Sequence, residues 1–245
     1  ATRHASRRGV DGAASPGGDR FIFSPVHYAL ALYAALIEVG RLGEEGLAAF
    51  NRDGSTVEMI GAEHSPGIEV TAGSLAQALS QAGGIALGRR LKGETGRVVV
   101  FLSDGELQEG QTWETFAALR FHRLDNVLVF VDVNAQQCDG PAERVGAQPP
   151  GERLGERSIP AARLEAFGAE VVEVSGHDLE ALCAAAETPH PGRPLVVLCH
   201  TDPCRDVPLL EERLAQGKLH HLRFVDEAER QRYAALHATW CAEAE

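Results

Sequence analysis

Residues 97–140 read RVVVFLSDGELQEGQTWETFAALRFHRLDNVLVFVDVNAQQCDG, and this stretch decides the fold. The β-branched run Val98–Val100 predicts a strand, Asp104-Gly105 a tight turn, and the residues after them an amphipathic helix. A second run, Val127–Val133, predicts the next strand, so the unit is strand, helix, strand. Asp104 follows the first strand and Asn134 the second, 30 residues later. In a parallel sheet, ligands gather at the carboxyl ends of strands, where the following helix points its positive end. One carboxylate (Asp104), one amide oxygen (Asn134) and one backbone carbonyl, best placed at Gln136, offer a few hard oxygen ligands and leave coordination positions open. That set suits Mg²⁺ or Ca²⁺ carrying a ligand diphosphate better than a closed all-protein cage. Spacing alone also fits an ordinary β-α-β unit, because Asp-Gly is a common turn and Asn a common helix cap.

The composition is that of a globular α/β protein. Of the 245 residues 44% are hydrophobic, ample for a packed core, and the net charge is −12. Such a chain presents no basic face for nucleic acid, and its charge argues against anionic membranes. No apolar run approaches the ~20 residues of a membrane span. The opening ATRHASRRGVDGAASPGGD has no apolar signal core. Cys138, Cys183, Cys199, Cys204 and Cys241 lack metal-type spacing; an odd, sparse set suits reduced thiols in a cytoplasm.

Residues 1–18, rich in Ala, Arg, Gly and Ser, are expected to form a flexible arm, and residues 19–245 a single domain. Asp19–Phe23 reads as a strand, and Tyr28–Val39 as a helix with Leu30, Tyr33, Ala34 and Ile37 on one face. A short helix near Gly43–Phe50 and a loop around Pro66 follow. A long helix of small residues then runs from about Ser74 to Leu91, built for close packing. Beyond Asn134 comes a loop over roughly 138–157. Then come helix Pro160–Phe167, strand Glu170–Val174, helix Asp178–Glu187, strand Leu195–His200 and helix Asp226–Cys241. This alternation predicts a mostly parallel sheet flanked by helices, with right-handed crossovers.

The segment D-G-x-x-x-E-G-x-x-W-E from Asp104, with L-D-N-V-L-V-F-V-D-x-N from Leu124, resembles the thiamin diphosphate signature of the transketolase family. Three more stretches are similar to that family in order: DRFIFSPVHYALALYAAL from Asp19, GIEVTAGSLAQALSQAGGIALGRRL from Gly67, and AARLEAFGAEVVEVSGHD from Ala161. The resemblance covers about residues 19–200 and implies the pyrophosphate-binding domain of these enzymes, with thiamin diphosphate and a divalent cation as cofactors.

By that resemblance Asp104, Asn134 and the Gln136 carbonyl hold the cation, and Gly105 lets the backbone approach the diphosphate. His27 matches a histidine beside the diphosphate and reacting ring; as a bare residue it also fits a helix-start histidine bonded to backbone. Gly73, Ser74 and Leu75 match positions lining the cofactor's centre, and equally fit a glycine helix start followed by a core leucine. Glu109 matches a carboxylate that meets the partner subunit near the active site, whereas Glu114 fits a structural place at the helix start. Trp113 is expected in a core or interface, and His177 in a structural turn. By the same resemblance a second catalytic histidine is expected at His221 or His220, with His221 preferred because Asp226-Glu227 follows it at the family's distance.

Departures from the family pattern are equally visible. Val26-His27 stands for its G-H, Ala76 and Ala78 replace glycines of G-S-L-G-Q-G, and Val133-Asn134 replaces a paired Asn-Asn. The G-H-P loop before Gly67 is shortened, with His64 nearby, and Asp202-Pro203-Cys204-Arg205 replaces a glycine-rich loop. No S-G-H-x-G segment precedes residue 19, so a sugar-handling histidine is expected to be missing.

The resemblance implies the N-terminal subunit of a split transketolase-like enzyme that transfers a two-carbon ketol unit. A separate C-terminal subunit would carry the pyrimidine-binding domain, whose glutamate protonates the aminopyrimidine, in an α2β2 heterotetramer. The substrate would be a small-molecule ketose or 2-oxo compound. Two alternatives stand beside it: a thiamin-dependent acyl or ketol transferase of a specialised biosynthetic pathway, and a non-catalytic cofactor-binding or regulatory subunit. Retention of Asp104, Asn134, Gly105 and His27 favours an enzyme.

Overall fold

A computed structural model describes residues 15–137, 140–141, 153–154, 157–216, 219 and 223–244. Its contacts divide into two compact units, one holding residues up to 134 with 150–201, the other 135–149 with 202–245.

The first unit is built on five strands: β1 (Arg20–Phe23), β2 (Val98–Ser103), β3 (Val127–Val133), β4 (Glu170–Ser175) and β5 (Leu195–His200). They lie in the order β1-β2-β3-β5-β4, and every neighbouring pair is parallel. Its helices are α1 (Ala29–Glu38), α2 (Glu45–Ala48), α3 (Gln77–Leu91), α4 (Gly110–Phe121), α5 (Ile159–Ala166) and α6 (Leu179–Ala185).

Both faces of the sheet are covered, which is why β2 and β3 are near-continuous apolar runs rather than alternating ones. Val98, Val100 and Leu102 join Val127, Val129 and Val131 on one face, under Leu79 of α3, Phe116 of α4 and Leu164 of α5. Val99, Leu128 and Phe130 look the other way, against Leu32, Tyr33 and Leu36 of α1 and Ala185 of α6. Small residues in α3 serve close packing as expected. A Cβ on Gly83 would lie 3.1 Å from Leu119 Cδ2, so the bare glycine sets the approach of α3 to α4. Phe116 is fully buried in that seam, where truncating such a ring to alanine costs about 3–5 kcal/mol.

Two local readings change. Helix α1 buries Ala29, Leu32, Tyr33 and Leu36, while Leu30 is half exposed and Ala34 exposed, so the buried stripe is shifted by one residue. The helix is apolar nearly all round, and the 3₁₀ turn at Val26–Tyr28 sets the phase. Helix α3 starts at Gln77, not Ser74, because Ala76 is left-handed at φ 64.

In the second unit Gln136-Gln137 pair antiparallel with Gly140-Pro141, and two helices follow, α7 (Glu211–Ala215) and α8 (Glu227–Ala244). Arg213 Nη2 donates to both carboxylate oxygens of Glu229, at 2.6 and 2.7 Å, and Glu229 also accepts from the Val225 amide at 2.7 Å. That buried bidentate pair ties α7 to the start of α8. Most of the 138–157 loop, the first 14 residues, His220 and His221 lie outside the described residues. Among the described residues no helix is long and apolar enough to cross a membrane.

Candidate functional site

Strands β1, β2 and β3 are neighbours in parallel, with Phe23 opposite Phe101 and Ser103 opposite Asp132. Their carboxyl ends therefore bring Ser24–His27, Ser103–Gly105 and Asp132–Asn134 to one edge of the sheet. Asp104 is 5% exposed and opens a short 3₁₀ turn, Asp104–Gln108, with Gly105 buried behind it.

Asn134 is held in one orientation. Its Nδ2 donates to Asp132 Oδ2 at 2.7 Å and to the Tyr28 hydroxyl at 3.0 Å. Asp132 can only accept here, so the nitrogen belongs on its side and the amide carbonyl is turned away. Thr201 Oγ1 donates to the other Asp132 oxygen at 2.5 Å and braces the carboxylate. Burial pushes the Tyr28 phenol up to about 12, and the carboxylates of Asp132, Asp104 and Glu106 add to the rise against the lowering bond from Asn134. Tyr28 is thus a neutral partner in a half-buried corner rich in negative charge. A hard divalent cation fits such a corner: a buried carboxylate and an oriented amide oxygen are the ligand types it takes, and the cation relieves the charge.

The remaining predicted residues sort clearly. His27 lies in the Val26–Tyr28 turn and is exposed, its ring edge-on to Tyr28 at 4.6 Å between centroids. Gly73, Ser74 and Leu75 are exposed in the loop before α3; Leu75 is 44% exposed, so it is not a core leucine. Gly73 has φ 152 and open space around it. Glu109 is exposed at the N-cap of α4, and Glu114 is exposed on the same helix. Trp113 packs as expected: its Nε1 donates to the Leu107 carbonyl at 3.1 Å and its ring leans on Phe167 at 5.2 Å. His177 sits in the turn after β4, and His64 pairs with Glu58 at 2.8 Å on the surface. Gln136 belongs to the second unit. No group of three or more His, Cys, Asp or Glu side chains suited to a metal occurs among the described residues.

Asp132 and Glu106 on this edge carry roles that the sequence did not announce. Glu106 is 1% exposed, and its carboxylate accepts from the Ser103 amide at 2.9 Å, from Ser103 Oγ at 3.2 Å, from the Ala76 amide at 2.9 Å and from the Ser24 hydroxyl. The available signal was S-x-x-E at Ser103–Glu106, the capping-box pattern, which places a glutamate back on the residue that opens the turn.

A fully covered parallel sheet with an acid, an oriented amide and a buried glycine turn on its carboxyl edge defines an α/β cofactor-binding domain. Residues 11–213 match the family described as transketolase, thiamine diphosphate binding domain, and the chain belongs to that family. It is 39% identical to the transketolase family protein y4mO of Sinorhizobium fredii, over 86% of this chain and 74% of that protein. It is 30% identical to the 6-deoxy-6-sulfo-D-fructose transketolase subunit SqwG of Clostridium sp., again over 86% and 74%. Among solved structures it resembles the Pichia stipitis transketolase complex with sedoheptulose 7-phosphate, at 30% identity and a TM-score of 0.66. That match covers 75% of this chain but only 28% of the yeast chain, so the shared part is a fraction of that enzyme.

Proposed function

We propose that this chain is the pyrophosphate-binding, N-terminal subunit of a two-chain transketolase-like enzyme. It transfers a two-carbon ketol unit from a ketose donor to an acceptor, with thiamin diphosphate and Mg²⁺ (or Ca²⁺), in a cytoplasmic α2β2 assembly. The observation that carries this reading is the placement of buried Asp104 and the oriented Asn134 amide at the ends of two adjacent parallel strands of the family-matched domain. The subunit named in SqwG supports a division of the enzyme between chains.

When bound, thiamin diphosphate supplies a nucleophilic thiazolium carbon, and the protein supplies orientation and charge. Asp104 and Asn134 would hold the cation on the diphosphate, and Asp132 keeps the Asn134 carbonyl aimed. Gly105 would leave room for the backbone to meet the diphosphate, and Gly73, Ser74 and Leu75 would line the cofactor's centre. His27, exposed in the turn after β1, would offer an imidazole to donate or accept a proton at a substrate oxygen. Glu109 faces the partner subunit, which brings the pyrimidine-binding domain and its glutamate.

Substrate choice is expected to depart from that of ordinary transketolases. After β5 the chain carries Asp202-Pro203-Cys204-Arg205, closed by the Cys204 amide on Asp202 Oδ1 at 2.9 Å, in place of the family's glycine-rich loop. Each neutral hydrogen bond to substrate lost there costs about 0.5–1.5 kcal/mol, and each charged one about 1.5–3. The assembled enzyme should therefore use xylulose 5-phosphate with ribose 5-phosphate poorly and prefer another donor, acceptor or both. Steady-state assays against a panel of ketoses and 2-oxo acids test this. Transketolase-like efficiency with the pentose phosphates would show the altered loop to be harmless.

A further inference from the structure

We infer that Glu106 is a positioning residue that locks three separate segments into one preformed cofactor half-site. This rests on the cofactor reading above. The carboxylate is 1% exposed and takes hydrogen bonds from three of the segments that carry proposed site residues. Ser24, three residues before His27, donates its hydroxyl to Oε1. Ala76, one residue after Gly73–Leu75, donates its amide to the same oxygen at 2.9 Å. Ser103, one residue before Asp104, donates its amide and hydroxyl to Oε2 at 2.9 and 3.2 Å. Thr112 Oγ1 donates to the Glu106 carbonyl at 2.5 Å, which ties the turn to α4.

The grip on Ala76 matters most, because that residue is held at φ 64, where an L-residue with a Cβ is strained. Releasing its amide would let the turn relax and carry Gly73–Leu75 with it. A carboxylate is the only side chain of this size that accepts all these donors at once. Glutamine would set an NH₂ against at least one N–H or O–H, leaving buried donors unmatched. The half-site is therefore organised before any cofactor arrives, and one buried acid links the His27, Gly73–Leu75 and Asp104 segments.

The test is hydrogen–deuterium exchange on the ligand-free protein, paired with thiamin diphosphate titrations in Mg²⁺ on the assembled protein, for wild type, Glu106→Gln and Ser24→Ala. In Glu106→Gln, exchange should rise together in the segments around Ser24 and Ala76 while β2 and β3 stay protected, and cofactor affinity should fall about tenfold or more. Ser24→Ala removes one donor and keeps the carboxylate, so it covers the case in which the glutamine variant does not fold. It should speed exchange at Ala76, 52 residues away, and weaken cofactor binding about threefold to tenfold. If Glu106 did not couple the two segments, loss of the Ser24 hydroxyl would leave the Ala76 amide, 52 residues along the chain, unmoved. Wild-type exchange at Ala76 in the variant that folds would overturn the inference, as would loosened segments with intact cofactor affinity. Failure of the unmutated assembly to take up thiamin diphosphate would instead sink the cofactor reading.

Discussion

Asp104→Ala is expected to abolish Mg²⁺-dependent binding of thiamin diphosphate in the assembled protein and to leave the fold intact. Mg²⁺ keeps few protein ligands, and Asp104 is the charged one in the proposed set. Losing an outer-shell partner of a metal ligand already costs about 10–100-fold, so losing the carboxylate itself should cost more than ~100-fold. The fold should survive because Asp104 lies beyond β2 and outside both apolar clusters. Its favourable place in the first turn of the 3₁₀ segment is worth about 0.3–1 kcal/mol, against a total near 5–15 for a typical domain. Calorimetric titration reads the affinity, and circular dichroism the fold. Unchanged affinity in the variant would remove Asp104 from the site.

Turnover by this chain alone should be undetectable, its cofactor binding weak, and both should appear on mixing with the partner subunit. The family match is to the thiamine diphosphate binding domain, and on the proposed reading the aminopyrimidine half of the cofactor would be served by a glutamate of the partner's pyrimidine-binding domain. A site that holds only the diphosphate end leaves the reactive ring without its proton relay. Exposed Glu109 at the N-cap of α4 is the residue expected to meet the partner. Assays of the chain, the partner and the mixture decide the matter. Full activity from this chain by itself would refute the half-site.

The strands and the polar residues that end them were legible for a physical reason. A strand buried on both faces must be apolar at every position, and β2 and β3 announce themselves that way. The polar residues that end such runs, Asp104 and Asn134, then fall at the ligand edge by register alone. Features that depend on dihedrals or on long-range partners were not legible. The stripe of α1 was misphased because both candidate stripes are apolar, and only the preceding 3₁₀ turn decides between them. Ala76 looked like a mild departure from a family glycine. Its φ of 64 explains why the family places glycine there, and what alanine costs here. Glu106 was passed over between two more familiar acids, since nothing local in D-G-E-L reveals that its carboxylate reaches Ser24 and Ala76, 82 and 30 residues away. Asp132 likewise seemed an ordinary strand residue, and only the fold shows it orienting Asn134.

The most direct measurement is a crystal structure of the assembled protein grown with thiamin diphosphate and Mn²⁺, with the metal located by its anomalous signal. The account predicts one metal peak joining the diphosphate to the Asp104 carboxylate and the Asn134 amide carbonyl, with Asn134 Nδ2 still on Asp132. A cofactor bound elsewhere, or a metal that leaves Asp104 and Asn134 unengaged, would contradict it.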